Sequence, residues 1–584
     1  MPDRYLFKKY RIFQRYSGKF FVILVSFLLF NLVSILFIPT SIDASKNPYY
    51  NDFFSRDAFE ILKNMSLEEK VGQILMFGFW GETLDEDYRR WLSTGRVGNI
   101  KIFLRNVKSK DQLQELTKLI TVLNANTRHG IPPFIATDEE GGIVNHIRYD
   151  GITLAPAAAL ISATGKVSSS SEASRLIAMT LRELGINMNF APCVDVLTTP
   201  WNRVIRTRSF SSNPEIVYRM SRAFIEEHAK RGILPIVKHF PGHGMTEFDP
   251  HLDSNSVPTS LEVLFGIHLY PYQKLMEEGL IDGCMVSHVI YDEIDPLYPA
   301  AFSPLVVRGL LREGLQYEGI VITDDLEMEG SESYAIEIIK AFILAFRAGN
   351  DIMLLSHTKA KQRKLLDNVA ELFRRGILDE SELDRRVLRI LKTKKRYLVN
   401  FYTVSGNGNN PGDSMESVIG MVNRISDEGI VLLSSNIKGS ISGYFKRAVG
   451  RGLRGLILSP TPDFSELSKK YLPMWDILEI GYLPDKEMNF KKLSEVQDKL
   501  EKYDMIVLGF ASERQIPWAQ ACIDKNIPFC ILSIDNPSYP LRYANRALFI
   551  AASFGPFHPA IGSLFKCVFD TGKFSGSFPY VFNQ

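Results

Sequence analysis

The chain has 584 residues, too many for one compact core, so at least two folded domains are expected. With 45% hydrophobic and 23% charged residues, 40 glycines and 29 prolines, it falls outside the disordered, collagenous and low-complexity classes. Lys+Arg 68 against Asp+Glu 66 leaves a formal +2, without the field a polyanion-binding protein carries, so no nucleic-acid partner is expected.

That surplus charge sits at one end. Residues 1–19 hold Arg4, Lys8, Lys9, Arg11, Arg15 and Lys19 against Asp3, a basic tail of net +5, and the remainder is net −3. Phe20 to Ile38 follows as 19 uncharged residues, close to the roughly 20 needed to cross a bilayer. The basic flank comes first, which keeps the N-terminus cytoplasmic and sends the rest across. A signal peptide is the rival reading, but its apolar core is usually about 7–15 residues long. The following Pro39-Thr40-Ser41-Ile42-Asp43-Ala44 is also a poor cleavage site. An uncleaved transmembrane helix is therefore expected, with the bulk of the chain on the periplasmic or extracellular side; a cleaved signal leads to the same export.

Residues 54–400 alternate short apolar runs with amphipathic stretches. The runs are Gln73–Phe79, Gly98–Leu104, Pro133–Thr137, Ile186–Ala191, Ile233–His239, Gly283–His288, Gly319–Thr323 and Asp351–Leu355. Helical patterns lie between most of them: Asp111–Asn124, Ser171–Leu184, Pro214–Lys230, Leu261–Glu278 and Tyr334–Ala348. Eight strand–helix units in about 350 residues predict an α/β fold of the (β/α)8 TIM barrel type, with a doubly wound sheet as competitor. Residues 403–415 are rich in turn formers and predict a linker. Beyond them, 420–584 alternates again, at Gly429–Leu433, Gly455–Leu458, Met505–Phe510, Phe529–Ser533 and Ala547–Ala551, which predicts a smaller α/β domain. It carries no nucleotide-binding glycine motif at a strand–helix junction. The five cysteines (Cys193, Cys284, Cys522, Cys530, Cys567) include no CxxC pair, which excludes a disulfide scaffold and a thiolate zinc site.

In such a barrel the C-terminal strand ends carry the chemistry. Polar residues recur there: Asp138-Glu139-Glu140, Asp195, Lys238-His239, Ser287-His288 and Asp324-Asp325. The densest stretch is Lys238–His251, KHFPGHGMTEFDPH, with three of the chain's ten histidines. A metal site, an acid–base loop and a purely structural loop compete for it. The first lacks a helical HExxH face, and the second uses Asp249 to orient His251 as a proton donor near neutral pH. Asp324, after an apolar strand, is a candidate nucleophile, metal ligand or hydroxyl acceptor. A carboxylate and a proton donor on one rim suit a retaining glycosidase.

At these residues the chain resembles glycoside hydrolase family 3, most of all its β-N-acetylhexosaminidase branch. Lys238–His251 matches that branch's KH(F/L)PGHGxxxxD(S/T)H throughout except at Pro250. Further agreements are Asp138–Gly142, Gly185–Pro192 with Asp195, Arg208-Ser-Phe210, Met285–His288, Asp295 and Thr323–Leu326 with Met328. Gly572–Pro579 resembles the ending of the α/β sandwich domain that many members carry.

The resemblance implies retaining hydrolysis of terminal β-linked N-acetylglucosamine, with no cofactor and no metal. Asp324 would be the nucleophile and His251 the acid/base, oriented by Asp249; Lys238, His239, Arg208 and Asp138 would hold sugar hydroxyls. Expected substrates are N-acetylglucosamine-containing oligosaccharides or cell-wall fragments, met by a membrane-tethered enzyme. Two departures stand out. Ile143 and His146 occupy positions where arginines are usual, which makes His146 a candidate sugar contact and Arg148 a candidate substitute. Arg206 stands where a small residue is common. A β-glucosidase or β-xylosidase of the same family, a non-catalytic carbohydrate-binding envelope protein and a metal-dependent hydrolase are the rival functions.

Overall fold

A computed structural model describes residues 50–247, 256–257, 259–328, 337–403 and 414–582. The basic tail and the Phe20–Ile38 run lie outside them. Among the described residues no helix is long and apolar enough to cross a membrane.

Each of the eight apolar runs contains a strand: β1 Leu75–Gly78, β2 Asn99–Lys101, β3 Phe134–Thr137, β4 Met188–Asn189, β5 Leu234–Pro235 with Val237–Phe240, β6 Gly283–Val286, β7 Ile320–Thr323 and β8 Met353–Leu355. All are buried along their length. Parallel strands covered on both faces need such near-continuous apolar runs. Their pairing forms two parallel sheets: one of six strands in the order β8-β1-β2-β3-β4-β5, and one of three, β7-β6-β5. β5 is broken at Ile236, its first part pairing with β4 and its second with β6. The expected single ring is thus divided. At its two seams only isolated bridges remain, Ile322 to Ile352 and Cys193 to Lys238.

The helices follow their capping chemistry. In Pro214–Lys230 the Asn213 side chain accepts from the Glu215 and Ile216 amides, Pro214 needs no partner in the first turn, and His228 and Lys230 lie in the last. Its buried face packs on helix Val167–Glu183, where Ser170 and Ser174 hydroxyls donate to the Met220 and Phe224 carbonyls at 2.8 and 2.7 Å.

Helix Glu380–Thr403 precedes the expected linker, most of which lies outside the described residues; helix Met415–Glu428 follows it, capped by Ser414. The second domain holds β9 Val431–Ser435, β10 Gly455–Ser459, β11 Asp476–Glu479, β12 Met505–Phe510, β13 Phe529–Ser533 and β14 Phe549–Ala552. They form one sheet, β9-β14-β13-β12-β10-β11, parallel except for β9. One face carries a core around Leu508, Trp518 and Ile531. The other carries Phe554, Ile561 and Phe565 and continues into Leu160, Cys193, Leu197 and Ile205 of the first domain. The two domains therefore share an apolar seam. All five cysteines are free and buried.

Candidate active site

The residues after β3 and at the ends of β2 and β5 build an alternating chain of charges. Lys238 Nζ lies 2.6 Å from Asp138 Oδ1 and 2.6 Å from Glu140 Oε1. Lys101 Nζ holds the other oxygen of Asp138. Arg208 forks Glu140, Nε to Oε2 at 2.9 Å and Nη2 to Oε1 at 2.8 Å. The order is Lys101–Asp138–Lys238–Glu140–Arg208, and all but Arg208 are buried. Buried charge survives only when paired, and here each carboxylate has two cations. Burial alone pushes both carboxyls up; the cations more than offset it, holding Asp138 well below its ordinary value and Glu140 down to about 2. Three cations against two anions leave the group net positive, suited to anionic or hydroxyl-rich ligands.

His239 sits at one end of this chain. Its Nδ1 lies 2.7 Å from Asp195 Oδ2 and its Nε2 lies 3.2 Å from Arg208 Nη2. A guanidinium nitrogen can only donate, so Nε2 accepts and Nδ1–H donates to Asp195. Asp195 also accepts the backbone N–H of His243 and the thiol of Cys193 at 3.2 Å. Donor atoms of Cys193, Asp195 and His239 lie within 4.8 Å of one another, a possible metal-ligand set. A thiolate ligand must lose its proton. As described they are joined by hydrogen bonds, the Cys193 thiol and the His239 Nδ1–H both donating to Asp195, and burial pushes the thiol well up.

Asp324 follows β7. Its N–H donates to Val286 O at 2.9 Å, and its Oδ1 accepts the Asp325 N–H at 2.8 Å. Its side chain is partly exposed, whereas Thr323 and Asp325 on either side are buried. Burial raises its carboxyl, but His239, His288, the Asp325 N–H and Lys238 together hold it below its ordinary value. With its carboxyl held below its ordinary value, Asp324 is ionised at neutral pH. Asp325 points elsewhere: it accepts the Glu327 N–H at 3.0 Å and lies 3.5 Å from His357 Nε2. His288 Nε2 lies 3.0 Å from the Asp325 carbonyl and ties β6 to this turn.

The KHFPGHG segment is fixed at its last residue by close approach. A Cβ on Gly244 would meet Val196 O at 1.9 Å, so only glycine fits there. Asp249 and His251, five and seven residues beyond Gly244, lie outside the described residues.

His146 Nδ1 lies 3.8 Å from Asp138 Oδ2, with its ring against Phe103, centroids 5.2 Å apart. Burial pushes its pKa down to about 4, so it is neutral at pH 7 and supplies no charge. Arg148 does not stand in for an arginine here. Its Nε donates to Asn145 O at 3.0 Å and its guanidinium lies 4.5 Å from the Phe557 ring of the second domain. The cation comes from Lys101, which sequence reasoning missed. Its only signal is a lysine inside the apolar run Gly98–Leu104. Also missed is Trp80, beside β1. It is 66% exposed, its indole N–H donates to His357 O at 2.9 Å, and Arg105 packs 4.4 Å from its ring.

Glu139 contrasts with its neighbours. It is buried with no cation in hydrogen-bond contact among the described residues, accepts the Ile147 N–H at 3.1 Å, and burial pushes it from 4.5 up to about 8. Folded protein therefore keeps a proton here that the unfolded chain loses. Its contribution is present in full below about pH 4.5 and is lost as pH rises through about 8. Glu139→Gln removes that slope: the variant gains melting temperature over the parent near pH 8 and gains little near pH 4. Equal gains at both pH values would show that the carboxyl is not the titrating group.

The sequence profile described as the glycosyl hydrolase family 3 N terminal domain matches residues 66–393. The chain is 36% identical over 293 residues to a beta-hexosaminidase of Alkalilimnicola ehrlichii, covering 49% of this chain and 81% of that protein. It is 33% identical over 294 residues to one of Methylococcus capsulatus, covering 50% and 85%. Among solved structures it is similar to a family 3 beta-N-acetylglucosaminidase from Paenibacillus sp. str. FPU-7. That likeness has TM-score 0.77 and 27% identity, over 88% of this chain and 99% of that one. The matched profile spans all eight strands and every described charge of the site, and the chain is a glycoside hydrolase of family 3, in its β-N-acetylhexosaminidase branch.

Proposed function

We propose that this enzyme removes terminal β-linked N-acetylglucosamine with retention of configuration, through a glycosyl-enzyme on Asp324. The observation that carries the reading is Asp324 itself: an ionised, partly exposed carboxylate at a strand end, in the field of Lys238 and beside a buried chain of hydroxyl-binding charges. Asp324 attacks the anomeric carbon while His251, oriented by Asp249, protonates the departing oxygen. His251 then takes a proton from water, which attacks the same carbon and returns the carboxylate. Asp138 and Glu140 offer acceptor oxygens to sugar hydroxyls, and Lys101, Lys238 and Arg208 offer donors. The two parallel sheets act as one eight-stranded barrel, β5 serving both. Substrates are oligosaccharides or cell-wall fragments ending in N-acetylglucosamine, and the exposed Trp80 face suits the apolar side of a further sugar. The Phe20–Ile38 run tethers the enzyme to the membrane with its catalytic part exported. The names of the relatives support the sugar.

Rates on paired aryl β-N-acetylglucosaminide and β-glucoside substrates, with proton NMR of the first product, test this. The acetamido sugar should be strongly preferred and the β-anomer released first. An α-anomer as first product, or a glucoside preference, would overturn the reading. His251→Ala should slow disaccharide cleavage by about 10²–10⁴-fold. The loss should be smaller on a nitrophenyl glycoside, whose leaving group needs no proton. Equal losses on both substrates would remove His251 from the acid role.

A further inference from the structure

Arg208 rides on a loop, residues 200–211, that the second domain grips along its length. The Trp201 ring meets Tyr539 at 5.6 Å, with Arg542 at 5.1 Å. Arg203 lies 3.4 Å from Glu513. Arg206 Nη1 lies 2.7 Å from Asp535 Oδ2, and Thr207 Oγ1 donates to Asp535 Oδ1 at 3.2 Å. The Tyr482 hydroxyl donates to the same carboxylate at 2.5 Å. The Tyr580 hydroxyl reaches the carbonyls of Arg206 at 3.1 Å and Ser209 at 2.9 Å. Ser211 Oγ donates to Pro579 O at 2.6 Å.

Arg206 is the unusual member. Its φ is +44, left-handed backbone that favours glycine and costs other residues about 1–2 kcal/mol. An arginine here is retained against that cost by its side chain, whose partner Asp535 is fully buried at the domain seam. Two residues on, Arg208 makes its fork on Glu140 and fixes the His239 tautomer. The strained turn and the sugar-binding fork are one short 3-10 segment, Arg206–Arg208.

We infer that the second domain completes the sugar site: Asp535, by clamping Arg206 and Thr207, is a positioning residue that aims Arg208 at Glu140 and His239. This rests on the reading of Arg208 and Glu140 as part of the sugar site. Asp535 touches no substrate; its effect passes through the turn. A seam that merely glued the domains together would have no reason to concentrate its buried carboxylate on the turn that carries a site residue.

The test uses the full chain and two variants, Asp535→Asn and Arg206→Gly. The second removes the ion pair and relieves the backbone strain while Asp535 keeps the Tyr482 and Thr207 hydroxyls as donors, and a melting curve of each variant shows which is folded and is read. With an aryl β-N-acetylglucosaminide, both should raise KM and the inhibition constant of free N-acetylglucosamine about tenfold, with kcat changed by about twofold or less. The double variant should be no worse than the worse single variant, because both cut one link. Unchanged KM and inhibition constant, with only a lower melting temperature, would overturn the inference. Hydrogen exchange at residues 204–210 supplies a readout independent of substrate. Faster exchange in both variants is expected even if the parent proves inactive on this sugar, and unchanged exchange would overturn the clamp whatever the substrate.

Discussion

Asp324→Asn leaves the protein folded and removes hydrolysis of an aryl β-N-acetylglucosaminide, lowering kcat on the order of 10³-fold or more. The amide is isosteric and its oxygen still accepts the Asp325 N–H, now made by Asp324 Oδ1 at 2.8 Å, so the turn after β7 persists. What is lost is the negative charge that attacks carbon. The neighbours that draw Asp324 down, Lys238 among them, remain, so free N-acetylglucosamine should bind within a fewfold of the parent. Steady-state kinetics, an inhibition constant and a melting curve together decide. Full turnover in a folded variant would take the nucleophile away from Asp324.

Lys238→Met is the second large effect, and it falls on stability first. Lys238 is the shared partner of two buried carboxylates, each at 2.6 Å. Removing one partner of a buried pair costs about 3–5 kcal/mol, because an uncompensated charge stays behind. Asp138 keeps Lys101 and Glu140 keeps Arg208, which places the loss at the lower end of that range. Denaturant unfolding of parent and variant reads it, and the variant's stability should recover as pH falls and the carboxyls take up protons. Lys101→Met should cost less, since Asp138 keeps Lys238. It should be partly rescued by adding His146→Arg, which restores a cation on the side of Asp138 where His146 now lies 3.8 Å away. No recovery at low pH in Lys238→Met would mean that packing, not charge, sets the loss.

Most of the architecture was legible because parallel strands covered on both faces must be apolar throughout, and each run therefore announced itself. The exceptions have physical causes. Leu261–Glu278 reads as one helix but splits into Leu261–Val263, a wider turn at Leu264–His268 and Tyr270–Glu277. Pro271 has no N–H to offer the preceding turn. Strand β11, Asp476–Glu479, escaped notice because it pairs only with β10, has an exposed residue at each end and carries just two apolar residues. The closure of the barrel was inferred from counting strands, and counting is blind to the seams, where pairing falls to single bridges.

The site was legible where a polar residue ends an apolar run, as at Asp138, Lys238 and Asp324. It was hidden where a charge lies inside a run and its partner is remote in sequence. Lys101 meets Asp138 across 37 positions and Arg206 meets Asp535 across 329. Neither pairing leaves a local pattern. Arg148 shows the reverse hazard: adjacency in sequence suggested a replacement that the Phe557 ring holds elsewhere.

The unpaired, inaccessible sulfhydryls give the molecule an internal gauge. Cys284 sits in the core of the first domain and Cys522 in a core of the second, whereas Cys193, Cys530 and Cys567 belong to the apolar cluster that both domains build. An alkylating reagent added under native conditions should find none of them at first. If the halves part before either unravels, thiols of the shared cluster, Cys193 among them, are tagged ahead of Cys284 and Cys522, and peptide mass mapping over time would separate undocking from unfolding without any engineered probe.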